Sequence, residues 1–344
     1  MFGFTGDLGV DLGTANVLIY QDRRGVVLRE PSVIAVDKNS GRVLQVGAAA
    51  RNMLGRTPGN VVAIRPLRDG AISDYEMTER MLTQFFRKIS RYSVVKPRVL
   101  VSVPSGITEV EERAVIQAAT NAGARQVYLI EEPLAAALGA GLDITGPNGK
   151  MVVDIGGGTT DAAVLSMNGI VRSTSLKVAG DAFDEAIIYQ LRRRYNLLVG
   201  QTTAEEIKMT VGTVFERPEP VTMVAKGRDL KTGLPRELEV SSDDTLEALR
   251  RPARQILDAI MEVLEQTPPE LVADISEGDI VLTGGGSQIW GMKDLVEERT
   301  GIRARVADEA ESCVALGCGK ALKWISSMQE GTINLARKKL MEDA

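Results

Sequence analysis

The chain of 344 residues contains no histidine, and that absence removes more chemistry than any other feature of its composition. Without imidazole there is no histidine-based triad, no histidine ligand for zinc and no histidine proton shuttle. Any catalysis has to use carboxylates, hydroxyls, lysine or a metal ion. Cysteine is nearly as scarce, since Cys313 and Cys318 stand without a second pair. That disfavours zinc and predicts buried packing thiols in a reducing compartment. Aromatic residues are 4% of the chain, and no apolar run approaches the roughly 20 residues that a membrane span needs. With no charged segment leading into an apolar one at the start, the expectation is a cytoplasmic protein, neither secreted nor membrane-spanning. Two common nucleotide motifs are missing as well. No glycine run leads into Gly-Lys-Ser or Gly-Lys-Thr, and no Gly-x-Gly-x-x-Gly opens a helix after a strand, which disfavours P-loop and Rossmann chemistry.

What is present is a chain longer than one hydrophobic core usually organises, so two domains are expected. Hydrophobic residues at 44% and charged residues at 25% are ordinary for a globular protein. The formal net charge of -5 argues against a nucleic-acid surface, and binding to acidic lipid would need a local basic patch.

Two short aspartate-glycine turns carry the most information: Asp11-Leu-Gly-Thr-Ala-Asn16 and Asp154-Ile-Gly-Gly-Gly-Thr-Thr-Asp161. Each follows an apolar run that reads as a strand. Glycine lets the main chain come close, so such a turn can aim backbone N–H groups and a threonine hydroxyl at phosphate oxygens. The aspartate has the wrong sign for phosphate and the right one for magnesium, which keeps most of its waters and is held by one or two carboxylates plus substrate phosphates. A single copy is equally well a tight strand connection. Two copies, with a third glycine cluster at Leu282-Thr-Gly-Gly-Gly-Ser287, point to the two halves of one nucleotide clamp.

Strands are expected at 8–12, 17–20 and 26–29, then a hairpin at 32–36 and 42–46 that could begin a small lobe. Helix 75–87, strand 99–103, helix 109–122, strand 127–130 and helix 134–142 complete the first half. Thr108 and Glu111 supply a capping box for the longer helix. The segment 143–150 breaks any helix and marks the boundary. Strands at 152–155, 162–167 and 170–177 then mirror the opening three, which implies an internal duplication and two similar domains facing a cleft. Helices at 181–195, 204–212 and 245–265, a two-stranded insert between 221 and 240, and a last unit from Ile280 to a helix near 316–326 complete the chain.

Several other positions carry candidate chemistry. Glu131 and Glu132, before Pro133, sit where a strand meets a helix, and a carboxylate there could orient a water for phosphoryl transfer or merely complement the helix dipole. Thr203 and Glu206 read as a capping box. Glu205 and Lys208, three apart on one helical face, could contact ribose or adenine, or form a surface ion pair. From Arg87 to Arg98, basic residues interleave with Tyr92, Val94 and Val95 in a loop able to meet an anionic bilayer, or to remain a solvated connection. Phe2 and Phe4 add two aromatics, although Met1-Phe-Gly-Phe4 is too short for a helix of its own.

These residues resemble the actin, heat-shock chaperone and sugar-kinase superfamily, and within it the bacterial actins of the MreB/Mbl family. The likeness covers essentially the whole chain. Besides the three glycine turns it rests on 55–66, on Val103-Pro-Ser-Gly-Ile-Thr-Glu-Val-Glu-Glu-Arg113, on Glu131-Glu-Pro133, on Thr267-Pro-Pro-Glu-Leu271 and on Cys313-Val-Ala-Leu-Gly317. It implies an α/β, actin-like fold of two duplicated domains and four subdomains around a nucleotide cleft. Domain I would span 1–143, with a small lobe at about 33–66 and a C-terminal helix, 318–344, returning to it. Domain II would span 144–317, with a small lobe at about 180–243.

The resemblance further implies an ATPase that binds ATP/ADP and Mg2+, assembles into paired protofilaments, and lies against the inner face of the cytoplasmic membrane. There it would organise wall synthesis for rod shape with cell-wall elongation proteins. Asp11 and Asp154 correspond to the magnesium-side carboxylates, acting largely through water. Gly13, Thr14, Ala15 and Asn16 with Gly156, Gly157, Gly158 and Thr159 correspond to the phosphate cradle. Gly284, Gly285 and Gly286 with Glu205 and Lys208 correspond to the adenosine contacts, and Glu132 with Thr159 to the pair that positions the attacking water. Tyr92, Val94 and Val95, with Phe2 and Phe4, correspond to the membrane surface. The chain departs from the family pattern at Asp161, where glutamate is usual, in the small size of Val94 and Val95, and in a shorter amino terminus than in members anchored by an N-terminal helix. A small-molecule kinase of the same superfamily shares the clamp and is the competing expectation, whereas a chaperone would need a peptide-binding domain beyond this core.

Overall fold

The computed structural model describes residues 6–89 and 95–327, together with the backbone of 331–332. The chain opens with strands Leu8–Leu12 (β1), Asn16–Gln21 (β2) and Gly25–Pro31 (β3). Then come Ile34–Asp37 (β4), Val43–Val46 (β5), the short helix Ala48–Arg51 (α1), Val61–Ile64 (β6), Leu67–Arg68 (β7) and Ala71–Ile72 (β8). Helix Tyr75–Ile89 (α2), strand Arg98–Val103 (β9), helix Glu109–Asn121 (α3), strand Gln126–Glu131 (β10) and helix Glu132–Gly139 (α4) follow. The second half begins with Lys150–Ile155 (β11), Thr160–Ser166 (β12) and Gly169–Leu176 (β13). It continues with Gly180–Tyr195 (α5), Leu197–Leu198 (β14), Gln201–Val211 (α6), Thr222–Asp229 (β15) and Pro235–Ser241 (β16). Ser242–Glu265 (α7), Pro269–Glu277 (α8), Ile280–Thr283 (β17), Met292–Thr300 (α9), Ala304–Val306 (β18), Cys313–Ala321 (α10) and Gly331–Thr332 (β19) end the described chain.

Two large sheets have the same internal plan. The first runs β19-β10-β9-β1-β2-β3 and the second β13-β12-β11-β17-β18. In each, three strands joined by tight turns pair antiparallel, and the first of them then pairs parallel with a strand reached through helices. β11 and β17, enclosed on both faces, are near-continuous apolar runs, as buried parallel strands are. Each half also carries a small sheet, β5-β4-β6 in the first and β14-β15-β16 in the second.

The helices follow from their patterns. α2 buries Thr78, Met81, Leu82, Phe85 and Phe86, a stripe at helical spacing. α3 is closed by the reciprocal Thr108–Glu111 capping box, and α7 by the equivalent Ser241–Asp244 box. Some boundaries differ from the sequence reading. α6 starts at Gln201 behind Gly200, with no side-chain cap, and Ala204 N donates to Gly200 O at 3.0 Å. Thr203 is therefore inside the helix, and the capping box assigned to Thr203 and Glu206 is not formed. Gly200, in extended conformation straight after β14, lets the helix begin earlier than the threonine pattern suggested. α4 starts at Glu132 rather than at 134, with Pro133 in its first turn, where a missing N–H costs nothing. Of the helix expected over 318–344, α10 ends at Ala321, a 3-10 turn covers Leu322–Ser327 and β19 joins the edge of the first sheet beside β10, while 328–330 and 333–344 lie outside the described residues.

One core lies in each half, and a third lies between the sheets, where Leu100, Ile130, Val152, Ala163 and Leu165 from both sheets enclose α4 and α10. The two helices cross through small residues. A β-carbon on Gly317 would stand 1.7 Å from Ala135 O, and one on Gly139 would stand 1.8 Å from Cys313 O. The cysteines are buried free thiols, and Cys318 packs against β1 at Gly9. Since backbone occupies the space a methyl would need, Gly317→Ala should lower unfolding free energy by about 3 kcal/mol, an overpacking cost. Gly59→Ala, with nothing within 4 Å, serves as the control. Urea denaturation of the two variants checks this, and equal midpoints would refute the close crossing.

Candidate functional site

The site starts from the turns at the carboxyl ends of β1 and β11, the edge at which open α/β sheets place their ligands. Leu12 pairs with Val17 across the first turn, and Ile155 pairs with Thr160 across the second. The turns meet each other. A β-carbon on Gly157 would lie 2.6 Å from Ala15 Cβ, and one on Gly158 would lie 2.5 Å from Thr14 Oγ1. Neither Gly13 nor Gly156, Gly157 or Gly158 has positive φ. Glycine is needed here for close approach of two backbones, not for a left-handed conformation. Gly284 is different: its φ is 78°, and a β-carbon there would lie 2.3 Å from Ile155 O, so the third glycine turn lies against the end of β11.

Beneath the turns four carboxyl groups gather, Glu132, Asp154 and Asp161 buried and Asp11 half-buried. Asp154 Oδ1 accepts a hydrogen bond from Thr283 Oγ1 at 2.6 Å, and Asp161 Oδ1 accepts one from Ser105 N at 3.0 Å. No lysine or arginine among the described residues pairs with any of the four. Burial, and then the charge of Asp154, push Asp11 up to about 8. Burial pushes Asp154 up to about 6 and Asp161 up to about 7. Glu132 is raised well above its ordinary value by burial and by the three aspartates. Such a set calls for a cation. Among the described residues no three or more such groups are placed to ligate an ion directly, and one or two carboxylates are what a hydrated magnesium ion asks for.

Asp11, Glu132 and Asp154 open into a cavity of about 580 Å³ between the two halves, within the range of small-molecule sites, and Asp161 lies behind them. Its walls include Asp11, Gly13, Thr14, Ala15, Asn16, Glu132, Asp154, Gly156, Gly157, Gly158 and Thr159, and also Glu205, Lys208, Gly284, Gly285 and Gly286. Every position singled out in the sequence for metal, phosphate, adenosine or water is thus brought to one hollow. Glu132 lines it, whereas Glu131 turns to Ser105, whose Oγ donates to Glu131 Oε2 at 3.2 Å. A second hollow of about 350 Å³, on β3 against the end of α2, has neither glycine turns nor a carboxylate cluster.

Glu205 and Lys208 do not pair with each other. Lys208 Nζ donates to Gly180 O at 3.0 Å and lies 2.9 Å from Asp184, tying α6 to the start of α5. Gly180 N in turn donates to Gly156 O, so this lysine braces the second glycine turn. Glu205 pairs with Arg51 of α1, and Arg65 pairs with Asp181 at 2.7 Å. Both bridges cross the cleft. Sequence reading missed Arg51, Arg29, Gly70, Met209, Arg217 and Trp290, which also line the cavity. Of these only Gly70, in the segment Asp69-Gly70 before a strand, resembled the glycine turns, and its N–H donates to Thr14 Oγ1 at 3.0 Å. Val95 of the basic loop is exposed, while Phe2, Phe4, Tyr92 and Val94 lie outside the described residues.

Two sheets of one plan, with a cavity at the facing ends of their central strands, define an actin-like fold. The crystal structure of MreB5 of Spiroplasma citri bound to ADP matches with a TM-score of 0.89 at 38% identity, over 93% of this chain and 97% of that one. The cell shape-determining protein Mbl of Bacillus subtilis (strain 168) is 51% identical over 320 residues, 93% of this chain and 96% of that protein. MreB of Escherichia coli (strain K12), also a cell shape-determining protein, is 50% identical over 328 residues, 94% of each. The family described as MreB/Mbl protein matches residues 5–330, and the chain belongs to this family of actin-like cell-shape proteins.

The buried carboxylates make a pH dependence inevitable. An unfolded aspartate titrates near 4, and the folded values of Asp11, Asp154 and Asp161 are higher, so between pH 4 and 8 the folded state binds more protons. Stability without ligand or divalent ion therefore falls as pH rises through this window. In EDTA the chain should be more stable at pH 5.5 than at pH 8 by more than about 1 kcal/mol, and Asp11→Asn should flatten the difference. A pH profile of urea midpoints that rises toward pH 8 would contradict the burial of these groups as acids.

Proposed function

We propose that this chain is an ATP-dependent, filament-forming bacterial actin that associates with the membrane and organises wall synthesis for rod shape. The observation that carries the reading is the convergence of both aspartate-glycine turns, the third glycine turn and Glu132 on one cavity with an acidic floor. MreB5 of Spiroplasma citri, solved with ADP and, at 37% identity, with AMPPNP, supports an adenine nucleotide as the occupant. In this reading residues 1–143 and 144–317 are the two domains, with small lobes at about 33–66 and 180–243, and the segment after 317 returns to the first.

Asp11 and Asp154 would hold magnesium through its waters, and the ion would neutralise charge on the phosphates. The backbone of 13–16 and 156–159 would cradle the phosphates. Gly284, Gly285 and Gly286, with Lys208 and with Glu205 released from Arg51, would hold the adenosine. Glu132, buried and proton-holding in the free chain, would lose its proton beside the cation and orient the attacking water with the Thr159 hydroxyl, the positioning role that phosphoryl transfer mainly asks of a protein. The Ser105 hydrogen bond to Glu131 supports giving that role to Glu132.

Glu132→Ala should slow phosphate release at least about tenfold, roughly 1.4 kcal/mol of barrier, while ATP still binds. Turnover equal to the parent's would remove Glu132 from the mechanism. Sedimentation separates this reading from a small-molecule kinase. The filament pellets with ATP and magnesium at micromolar protein, and a kinase stays in the supernatant.

Membrane association would rest on Tyr92, Val94 and Val95 between Arg91 and Arg98, with Phe2 and Phe4. Among the described residues no helix is long and apolar enough to cross a membrane. One loop binds weakly, with neighbouring cations contributing about 1 kcal/mol each at an anionic surface, and assembly multiplies it by avidity. Val94→Asp with Val95→Asp should leave filaments that no longer co-sediment with anionic vesicles. Undiminished co-sedimentation, persisting with Phe2→Ser and Phe4→Ser, would place the membrane surface elsewhere or on a partner protein.

A further inference from the structure

One wall of the cavity belongs to no motif. α6 runs from the Glu205 and Lys208 side toward Gly212, seven residues and about 10 Å further along the helix axis. Beyond it the chain is stitched to the loop after the third glycine turn. Val214 N donates to Trp290 O at 3.0 Å, Thr213 Oγ1 to Trp290 O at 3.4 Å, and a β-carbon on Gly291 would lie 2.2 Å from Phe215 Cβ. Arg217 is carried by this stitched loop. Its guanidinium carbon lies 4.7 Å from the centre of the Trp290 ring, and both residues line the cavity together with Met209 and Ile289.

The hydrogen bonding of Arg217 is incomplete. Nη2 reaches Gly212 O at a long 3.4 Å, and Nε is buried with no partner. A guanidinium only donates, its donors lie in one plane, and a buried donor left unmade costs free energy. Packing against indole fixes that plane by cation–π attraction. The wall therefore offers apolar surface from Trp290, Met209 and Ile289, and in-plane Nη donors from Arg217, whose buried Nε lies beyond a ligand's reach. The complementary ligand is a planar heterocycle with acceptor atoms on its edge. The carboxylates and glycine turns elsewhere in the cavity suit a cation and phosphates, so the ring and the anion would belong to one molecule, a purine nucleotide.

We propose that Arg217, held flat on Trp290, reads the nucleobase by donating to an acceptor atom on the purine edge. The proposal rests on the nucleotide reading of the cavity given above. It assigns affinity for the base, as distinct from the phosphates, to a residue that neither glycine turn contains. The bland alternative is that Arg217 only closes the end of α6 through Gly212, in which case its loss loosens the wall and weakens every ligand alike.

The test is equilibrium binding of two probes to the full chain in magnesium, ADP and base-free inorganic triphosphate, compared for the parent, Arg217→Ala, Arg217→Met and Arg217→Lys. Methionine keeps an aliphatic contact with Trp290 and removes the donors, which guards against a variant that merely folds poorly. The expected result is ADP weakened at least about tenfold in the Ala and Met variants, triphosphate unchanged within about twofold, and no rescue by lysine, which keeps charge without the planar fork. ADP affinity equal to the parent's, equal weakening of both probes, or full rescue by lysine would each overturn the assignment. A parent chain that binds neither probe would overturn the nucleotide reading itself, a result distinguishable from loss of the Arg217 role alone.

Discussion

Four carboxyl groups, three of them buried and Asp11 half-buried, are gathered at the floor of the cleft, and the rest of the site is arranged around that constraint. Burying like charges together is unfavourable unless protons or a cation neutralise them. No lysine or arginine among the described residues pairs with them, and burial raises Asp11, Asp154, Asp161 and Glu132 above their ordinary values, favouring the forms that keep their protons. A divalent ion arriving with phosphates would displace those protons. The glycine turns directly above would then present N–H groups to the phosphates, so electrostatics and backbone geometry select the same class of ligand.

The carboxylates come from both halves, and their spacing depends on how the halves are joined. α4 and α10 cross through Gly139 and Gly317 in the apolar layer between the sheets, with no room for a methyl group at either crossing. α4 also carries Glu132 at its first residue. The helix that packs the halves together thus presents the carboxylate assigned to the water. The ion pairs Arg51–Glu205 and Arg65–Asp181 also span the cleft.

Much of this was legible in the sequence because its carriers are contiguous. The aspartate-glycine turns each compress strand, turn and strand into a few residues, and their repetition announced a duplicated plan that the two sheets share. The Thr108–Glu111 box was readable for the same reason. What was not legible is built by residues far apart in the chain. Arg51 reaches Glu205 across 154 positions, and Arg217 meets Trp290 from another loop, so no local pattern marks either contact. Thr203 misled because its spacing to Glu206 fits a cap, while Gly200 had already started the helix. Glu131 and Glu132 differ by one residue of register at the end of β10, and the sequence does not show that one side chain bonds to Ser105 while the other faces the cavity.

The claim at the centre is that the two turns form one magnesium-dependent nucleotide site. Isothermal titration of the full chain with ATP, once in magnesium and once in excess EDTA, tests it directly. One nucleotide bound per chain in magnesium, with affinity at least about tenfold lower in EDTA, is the result that the buried carboxylates predict. Equal affinity under both conditions, or no binding in magnesium, would contradict it.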